Sequence, residues 1–143
     1  MKKQFYSCID ALLSAPQPEQ HYWIREKARR ENGEIIFYGA EDVAVVSTQP
    51  FILRKLERTP EVGGVVFFTF DQFCYGDTLN LQLLVRIIER NFSVHFARED
   101  ISFYVVSEVF EKFPFLSAYF HGRAYWRARG EMKELLAQLN SVV

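Results

Sequence analysis

Short apolar runs alternate with amphipathic stretches along most of this chain. Gln4–Ile9, Glu34–Tyr38, Gly64–Phe68 and Ser93–Phe96 are short, apolar and rich in β-branched or aromatic residues, which predicts four buried strands. The segments between them carry a helical period. Pro16-Gln17-Pro18 leads into Glu19–Glu31, where His21, Ile24, Arg25 and Ala28 share a face, and Asn32-Gly33 supplies a stop. Thr48-Gln49-Pro50 opens a second helix to Arg58, with Pro50 suited to the first helical position and Thr59-Pro60 ending it. Asp77 or Thr78 caps a third helix running to Arg90, with Leu81, Leu84, Val85 and Ile88 as its apolar stripe. Val43–Val46 fits either a short extra strand or a buried loop.

Strand alternating with helix implies a three-layer α/β fold, a mainly parallel sheet of four or five strands flanked by helices. Beyond Ile101-Ser102-Phe103 the pattern is mostly helical. Pro114 should kink or break it, and Gly130 should set off a last amphipathic helix over Glu131–Leu139. The expected organisation is one α/β domain over residues 1–143, with a core at 1–105 and a helical, aromatic-rich extension at 106–143.

Composition narrows the function classes. The 14 Phe, 7 Tyr and 2 Trp exceed what the interior alone requires, so a homo-oligomer interface is expected, with a ligand pocket as the other use of the surplus. With 17 basic and 18 acidic residues the net charge is −1, and nothing suggests a nucleic-acid coat or a polybasic membrane binder. No run reaches the roughly 18 apolar residues of a membrane span, so no membrane insertion is expected. Met1–Tyr6 leads into an apolar stretch too short and mixed for a signal peptide. Cys8 and Cys74 should be free thiols, which fits a cytoplasmic protein.

Open parallel sheets bind ligands beyond the carboxyl ends of their strands. The first strand leads to Asp10 and the second to Gly39-Ala40-Glu41-Asp42. The third leads to Thr69-Phe70-Asp71-Gln72, and the fourth carries His95 and then Arg98-Glu99-Asp100. Each strand therefore ends in a carboxylate. Asp10, Asp71, His95 and Glu99 are the candidate catalytic groups; His95 reads first as a structural histidine bonded to a neighbouring carboxylate, and alternatively as an acid/base that would titrate beside Asp71 or Glu99. Gln17, Glu41, Gln72, Phe73, Tyr75 and Arg98 are the candidate substrate-binding residues, with aromatic rings including Phe70 available to stack on a sugar or base. The same carboxylates equally suit helix caps and solvated loops. Mg²⁺ or sugar hydroxyls are alternative occupants, with Asp10 as a second carboxylate or a metal ligand; no metal site is assigned, and the cofactor is undetermined. Phosphate-loop, dinucleotide, nucleophile-elbow and zinc spacings are all missing.

Two family resemblances follow from these motifs. The order of elements resembles the catalytic domain of serine recombinases, which opens on a Tyr-x-Arg-x-Ser strand and ends its third strand in Asp-Arg-x-x-Arg. Here the first reads Tyr6-Ser7-Cys8-Ile9-Asp10 and the second Asp71-Gln72-Phe73-Cys74-Tyr75. Asp10 replaces the nucleophilic serine, and Cys8 and Gln72 are among the residues standing where arginines would hold the phosphate. That resemblance implies a resolvase-like, flavodoxin-like fold without strand cleavage. Over residues 5–105 the chain also resembles the sporadic carbohydrate cluster family, through Pro16-Gln17 with Ile24-Arg25, Gly39-Ala40-Glu41-Asp42, Phe70-Asp71-Gln72-Phe73 and His95-Phe96-Ala97-Arg98-Glu99. It implies a setting in surface-polysaccharide or unusual-sugar biosynthesis and assigns no catalytic residue.

The expected function is accordingly to bind or act on a nucleotide-linked or lipid-linked sugar through the strand-end carboxylates. A non-enzymatic partner of a carbohydrate-biosynthesis enzyme is the alternative, and DNA binding by a catalytically dead recombinase-like domain the weaker one. Nucleic acid is not an expected partner.

Overall fold

A computed structural model describes residues 2–75 and 78–122. Strand β1 (Lys3–Ile9) organises the sheet, pairing in parallel with β2 (Gly33–Ala40) on one side and β3 (Gly64–Phe67) on the other. Strand β6 (Ser93–Phe96) adds in parallel to β3, and β7 (Ile101–Phe103) closes that flank antiparallel. The order is β2-β1-β3-β6-β7, so the four predicted strands are present and parallel. The short β4 (Cys74–Tyr75) and β5 (Thr78–Leu79) form a separate antiparallel pair. The side chain of Tyr75 lies outside the described residues, as does Asp77.

Three helices flank the sheet: α1 (Gln17–Arg30), α2 (Phe51–Arg58) and α3 (Leu81–Glu89). One core cluster joins α1 to the sheet through Ile24, Ala28, Phe5, Ile9, Val66, Phe68 and Ala97. The alternation of side chains across a strand turns Val65, Phe67, Val94 and Phe96 the other way, and all four are buried. The apolar residues Ile52, Leu53 and Leu56 of α2 and Leu83, Leu84, Ile87 and Ile88 of α3 are buried too. This is an α/β fold with a mostly parallel five-stranded sheet between helices. Asn32 follows α1 at φ 59°, and Asn91 follows α3 at φ 67°. Both supply the left-handed residue with which helices commonly end.

Several local expectations are corrected. The buried face of α1 is Gln20, Ile24, Lys27 and Ala28, whereas Arg25 is exposed and His21 only half-buried. Two polar residues are accepted on that face because each has partners there, described below. Helix α3 is capped not by Asp77 or Thr78 but by Asn80, whose side chain accepts from the Leu83 N–H at 3.2 Å and donates to the Val43 carbonyl at 2.7 Å. Val43–Val46 is a loop, turned where Asp42 accepts from the Ala44 N–H at 3.2 Å. Val43 and Ala44 are buried, while Val45 and Val46 are exposed.

The chain divides into two compact units, Met1–Val109 and Phe110–Val143. Helix α4 (Val106–Glu111) begins where Glu108 accepts from the Tyr104 and Val105 N–H groups at 2.8 and 2.9 Å. In the second unit, residues 113–122 are helical. Pro114 falls in the first turn of that segment, where a missing N–H breaks no intrahelical bond. Gly130 and the expected helix over Glu131–Leu139 lie outside the described residues.

Candidate functional site

From β1 the chain passes through α1 to β2 on one flank, then through α2 to β3 on the other. The loops after β1 and β3 therefore diverge, which opens the crevice that ligands use in sheets of this kind. Asp10 stands there at the end of β1, only 7% exposed. Its backbone is clamped by Gln20: the Asp10 N–H donates to Gln20 Oε1 at 3.1 Å, and Gln20 Nε2 donates to the carbonyls of Asp10 and Ala15 at 2.9 and 3.0 Å. Oδ1 of Asp10 accepts from the Leu12 N–H at 2.8 Å. Burial pushes the carboxyl pKa up, against the pull of the Leu12 N–H, and the charge of Asp42 adds to the rise.

The other strand-end carboxylates are held differently. Glu41 reaches over the start of α2, accepting from the Phe51 N–H at 2.6 Å and the Ile52 N–H at 3.0 Å. Glu99 binds the turn at Phe70–Phe73, accepting from the Thr69 hydroxyl at 2.6 Å and the Phe70 N–H at 3.0 Å. Gln72 is buried in the same turn, accepting from the Thr69 N–H at 3.1 Å and donating to the Cys8 carbonyl at 3.2 Å, so the turn is tied across to β1. Asp71 faces Arg98 at 3.6 Å, and the Arg98 side chain is half exposed. Gln17 is exposed at the start of α1. Phe73 and Phe70 are fully buried and pack edge-on against Phe96, so their rings serve the core rather than a ligand. The structure thus gathers Asp71, Gln72, Arg98 and Glu99 around one turn and ties that turn to the strand leading to Asp10.

His95 lies elsewhere. It is completely buried on the α1 face, edge-on to Phe5. Its hydrogen-bond partners are not Asp71 or Glu99: Nε2 is 2.8 Å from the Ser93 hydroxyl and Nδ1 is 2.8 Å from the Ser102 hydroxyl. The strand alternation explains this, since Ser93 and His95 share one face of β6 and Ser102 is the register partner of His95 on β7. Ser102 in turn donates to Glu31 at 2.9 Å. Glu31 also accepts from Lys27 at 2.8 Å and from the Tyr104 hydroxyl at 2.7 Å. The Lys27 ammonium, 3% exposed, reaches Asp100 at 2.7 Å as well. Burial holds His95 down to about 4, against the upward pull of Glu31. Burial works to raise Glu31, but the bonds from Lys27, Tyr104 and Ser102 hold it down to about 2.

Gln20, Lys27, Glu31, Ser93 and Ser102 were missed by pattern. The available signal was a glutamine and a lysine at helical spacing with Ile24 and Ala28, and two serines alternating with apolar residues next to His95. Cys8 and Cys74 are buried free thiols, and burial holds the Cys8 thiol protonated. Among the described residues no three His, Cys, Asp or Glu side chains converge as a metal site, and no helix is long and apolar enough to cross a membrane. No family model matches the chain, and no curated protein matches it significantly.

Proposed function

We propose that this protein binds the sugar of a nucleotide-linked or lipid-linked carbohydrate at the crevice beyond β1 and β3, within surface-polysaccharide or unusual-sugar biosynthesis. The observation that carries this reading is Asp10. It is a nearly buried carboxylate at the topological switch point, its backbone is clamped by Gln20, and its pKa is raised. A carboxylate in that state accepts from adjacent sugar hydroxyls and, when protonated, donates to a ring or glycosidic oxygen. Asp71, in the turn after β3, and Arg98, just after β6, pair at 3.6 Å and would offer an acceptor and a cation to the remainder of the ligand. The sugar-biosynthesis setting rests on the family resemblance given above. Two buried free thiols and the lack of a membrane-spanning helix among the described residues favour the cytoplasm. Among the described residues strand β2 is an edge strand with Phe37 and Tyr38 exposed, which favours assembly with further copies. The exposed Val45, Val46 and Phe51 favour a second reading, docking of a biosynthetic enzyme; a mixed complex lost on Val46→Lys in size-exclusion chromatography would support it.

The test is a thermal-shift screen against nucleotide sugars, free nucleotides and sugar phosphates, repeated on Asp10→Asn. A ligand at a hundred times its Kd stabilises the fold by about 2.7 kcal/mol. The expected result is a shift with a nucleotide sugar that is abolished by Asp10→Asn. The free variant should match or exceed the wild-type Tm, because the substitution removes an unfavourably buried charge and keeps the acceptor for Leu12. A shift that survives both Asp10→Asn and Asp71→Asn, or no shift with any sugar, overturns the proposal.

A further inference from the structure

A cleft of about 620 Å³ opens at the other edge of the sheet, lined by Lys2, Lys3, Gln4, Glu34, Glu61, Asn91, Ser93 and Tyr104 among others. Its inner wall holds the first member of a buried hydrogen-bonded chain, Ser93–His95–Ser102–Glu31, with successive contacts of 2.8, 2.8 and 2.9 Å.

The direction of the protons in this chain follows from one end. Glu31 is ionised at neutral pH and can only accept, so the Ser102 hydroxyl hydrogen points to it. The Ser102 oxygen then faces His95 with a lone pair and must receive the Nδ1–H. The neutral imidazole has a single N–H, so Nε2 presents its lone pair to Ser93. The Ser93 hydroxyl hydrogen therefore goes to Nε2 at 2.8 Å in preference to the Gly63 carbonyl at 3.4 Å. A hydroxyl donating to an imidazole, which is itself oriented through its other nitrogen, is the arrangement that activates a serine nucleophile. Gly64 accommodates it: a Cβ there would fall on the Ser93 hydroxyl and carbonyl.

We infer that Ser93 is a reactive nucleophile that cleaves small carboxylic esters bound in this cleft, with His95 as its base and Ser102 and Glu31 as positioning residues. In the first step Ser93 Oγ bonds to the ester carbonyl carbon and its proton passes to His95 Nε2. The carbon–oxygen bond to the alcohol breaks, and the leaving alkoxide takes that proton. Water then repeats the sequence on the acyl-serine, releasing the acid and restoring the hydroxyl. Lys2 and Lys3 are among the residues lining the cleft, the Lys3 ammonium lying 5.3 Å from the centre of the Tyr104 ring, and their positive charge favours an oxyanion formed there. This centre is independent of the ligand crevice around Asp10.

The experiment is reaction of the folded full-length protein with a fluorophosphonate, in which the Ser93 oxygen bonds to phosphorus, fluoride leaves and His95 takes the proton. Peptide mapping of the wild-type adduct needs no variant to fold. The expected result is one phosphonyl group, located on Ser93 and missing from Ser93→Ala. Ser102→Ala should slow the maximal labelling rate at least tenfold while leaving the half-saturating probe concentration unchanged, which a merely structural role would not separate. Turnover of p-nitrophenyl acetate should be lost with Ser93→Ala. A folded wild type that takes no label, takes it on another residue, or takes it only once denatured overturns the inference.

Discussion

At the scale of single residues, this protein places charge where pattern alone expects surface. Lys27 belongs to a run of basic residues in the last turns of α1, where cations complement the helix dipole. Its ammonium is instead enclosed between Glu31 and Asp100, and the second of these lies 73 positions away. No periodicity encodes a partner at that distance, so the contact was illegible in the sequence. Buried pairs contribute little net stability, but removing one member is costly because it strands the other. Lys27→Met keeps the stem and deletes the charge. Glu31 would retain its Tyr104 and Ser102 donors, and Asp100 is half exposed and retains Arg30, so the penalty should fall below that of a fully buried pair. We expect a loss of about 2 kcal/mol in urea denaturation. A midpoint unchanged from wild type would show that the ammonium contributes nothing to holding α1 on β7.

At the scale of elements, two of the strand-end carboxylates serve the backbone. Helix α2 begins after Pro50, which offers no side-chain cap, and Glu41 satisfies its first N–H groups from across the loop. Glu41→Ala should therefore lower stability by about 1 kcal/mol, as loss of a helix cap does. It should leave any ligand-induced thermal shift intact; loss of that shift would move Glu41 into the binding crevice. The strands and helices with clear periodicity were legible in the sequence, because apolar alternation and helical stripes are local. The antiparallel pairing of β7 and the two-residue strands β4 and β5 were not, since segments that short carry no period. The site follows the same division. A carboxylate at every strand end was visible along the chain, but its role depends on contacts 10 to 30 residues away, such as Glu41 with Phe51 and Glu99 with Thr69. His95 was visible as a lone histidine in a strand. Ser93, two positions away on the same strand face, was legible with it, whereas Ser102 became a partner only once β6 and β7 were paired.

At the scale of the whole molecule, the two edges of the sheet respond oppositely to acid. His95 has an ordinary pKa of 6.5 and is held down to about 4 in the fold. Below pH 6.5 the unfolded chain takes up a proton that the native state refuses, so stability falls as pH drops from 6.5 to 4. Two and a half pH units correspond to about 3 kcal/mol at most. Glu31, held down to about 2 from 4.5, contributes stability that is complete above pH 4.5 and lost from there toward pH 2. Asp10 acts the other way: its raised pKa means that the native state binds this proton more readily than the unfolded chain, so acidification relieves a strain at the carboxyl edge. These directions predict a protein that weakens between pH 6.5 and 4.5 through His95 first. Urea midpoints at pH 7.0, 5.5 and 4.5 should fall in that order. His95→Gln should flatten the change between pH 6.5 and 4.5, because it removes the site that takes up a proton only on unfolding. Midpoints in the wild type that stay level down to pH 4.5 would mean that His95 accepts its proton inside the fold. Nε2 would then carry a hydrogen at acid pH and donate to the Ser93 oxygen, while the direction from Nδ1–H through Ser102 to Glu31 would be unchanged.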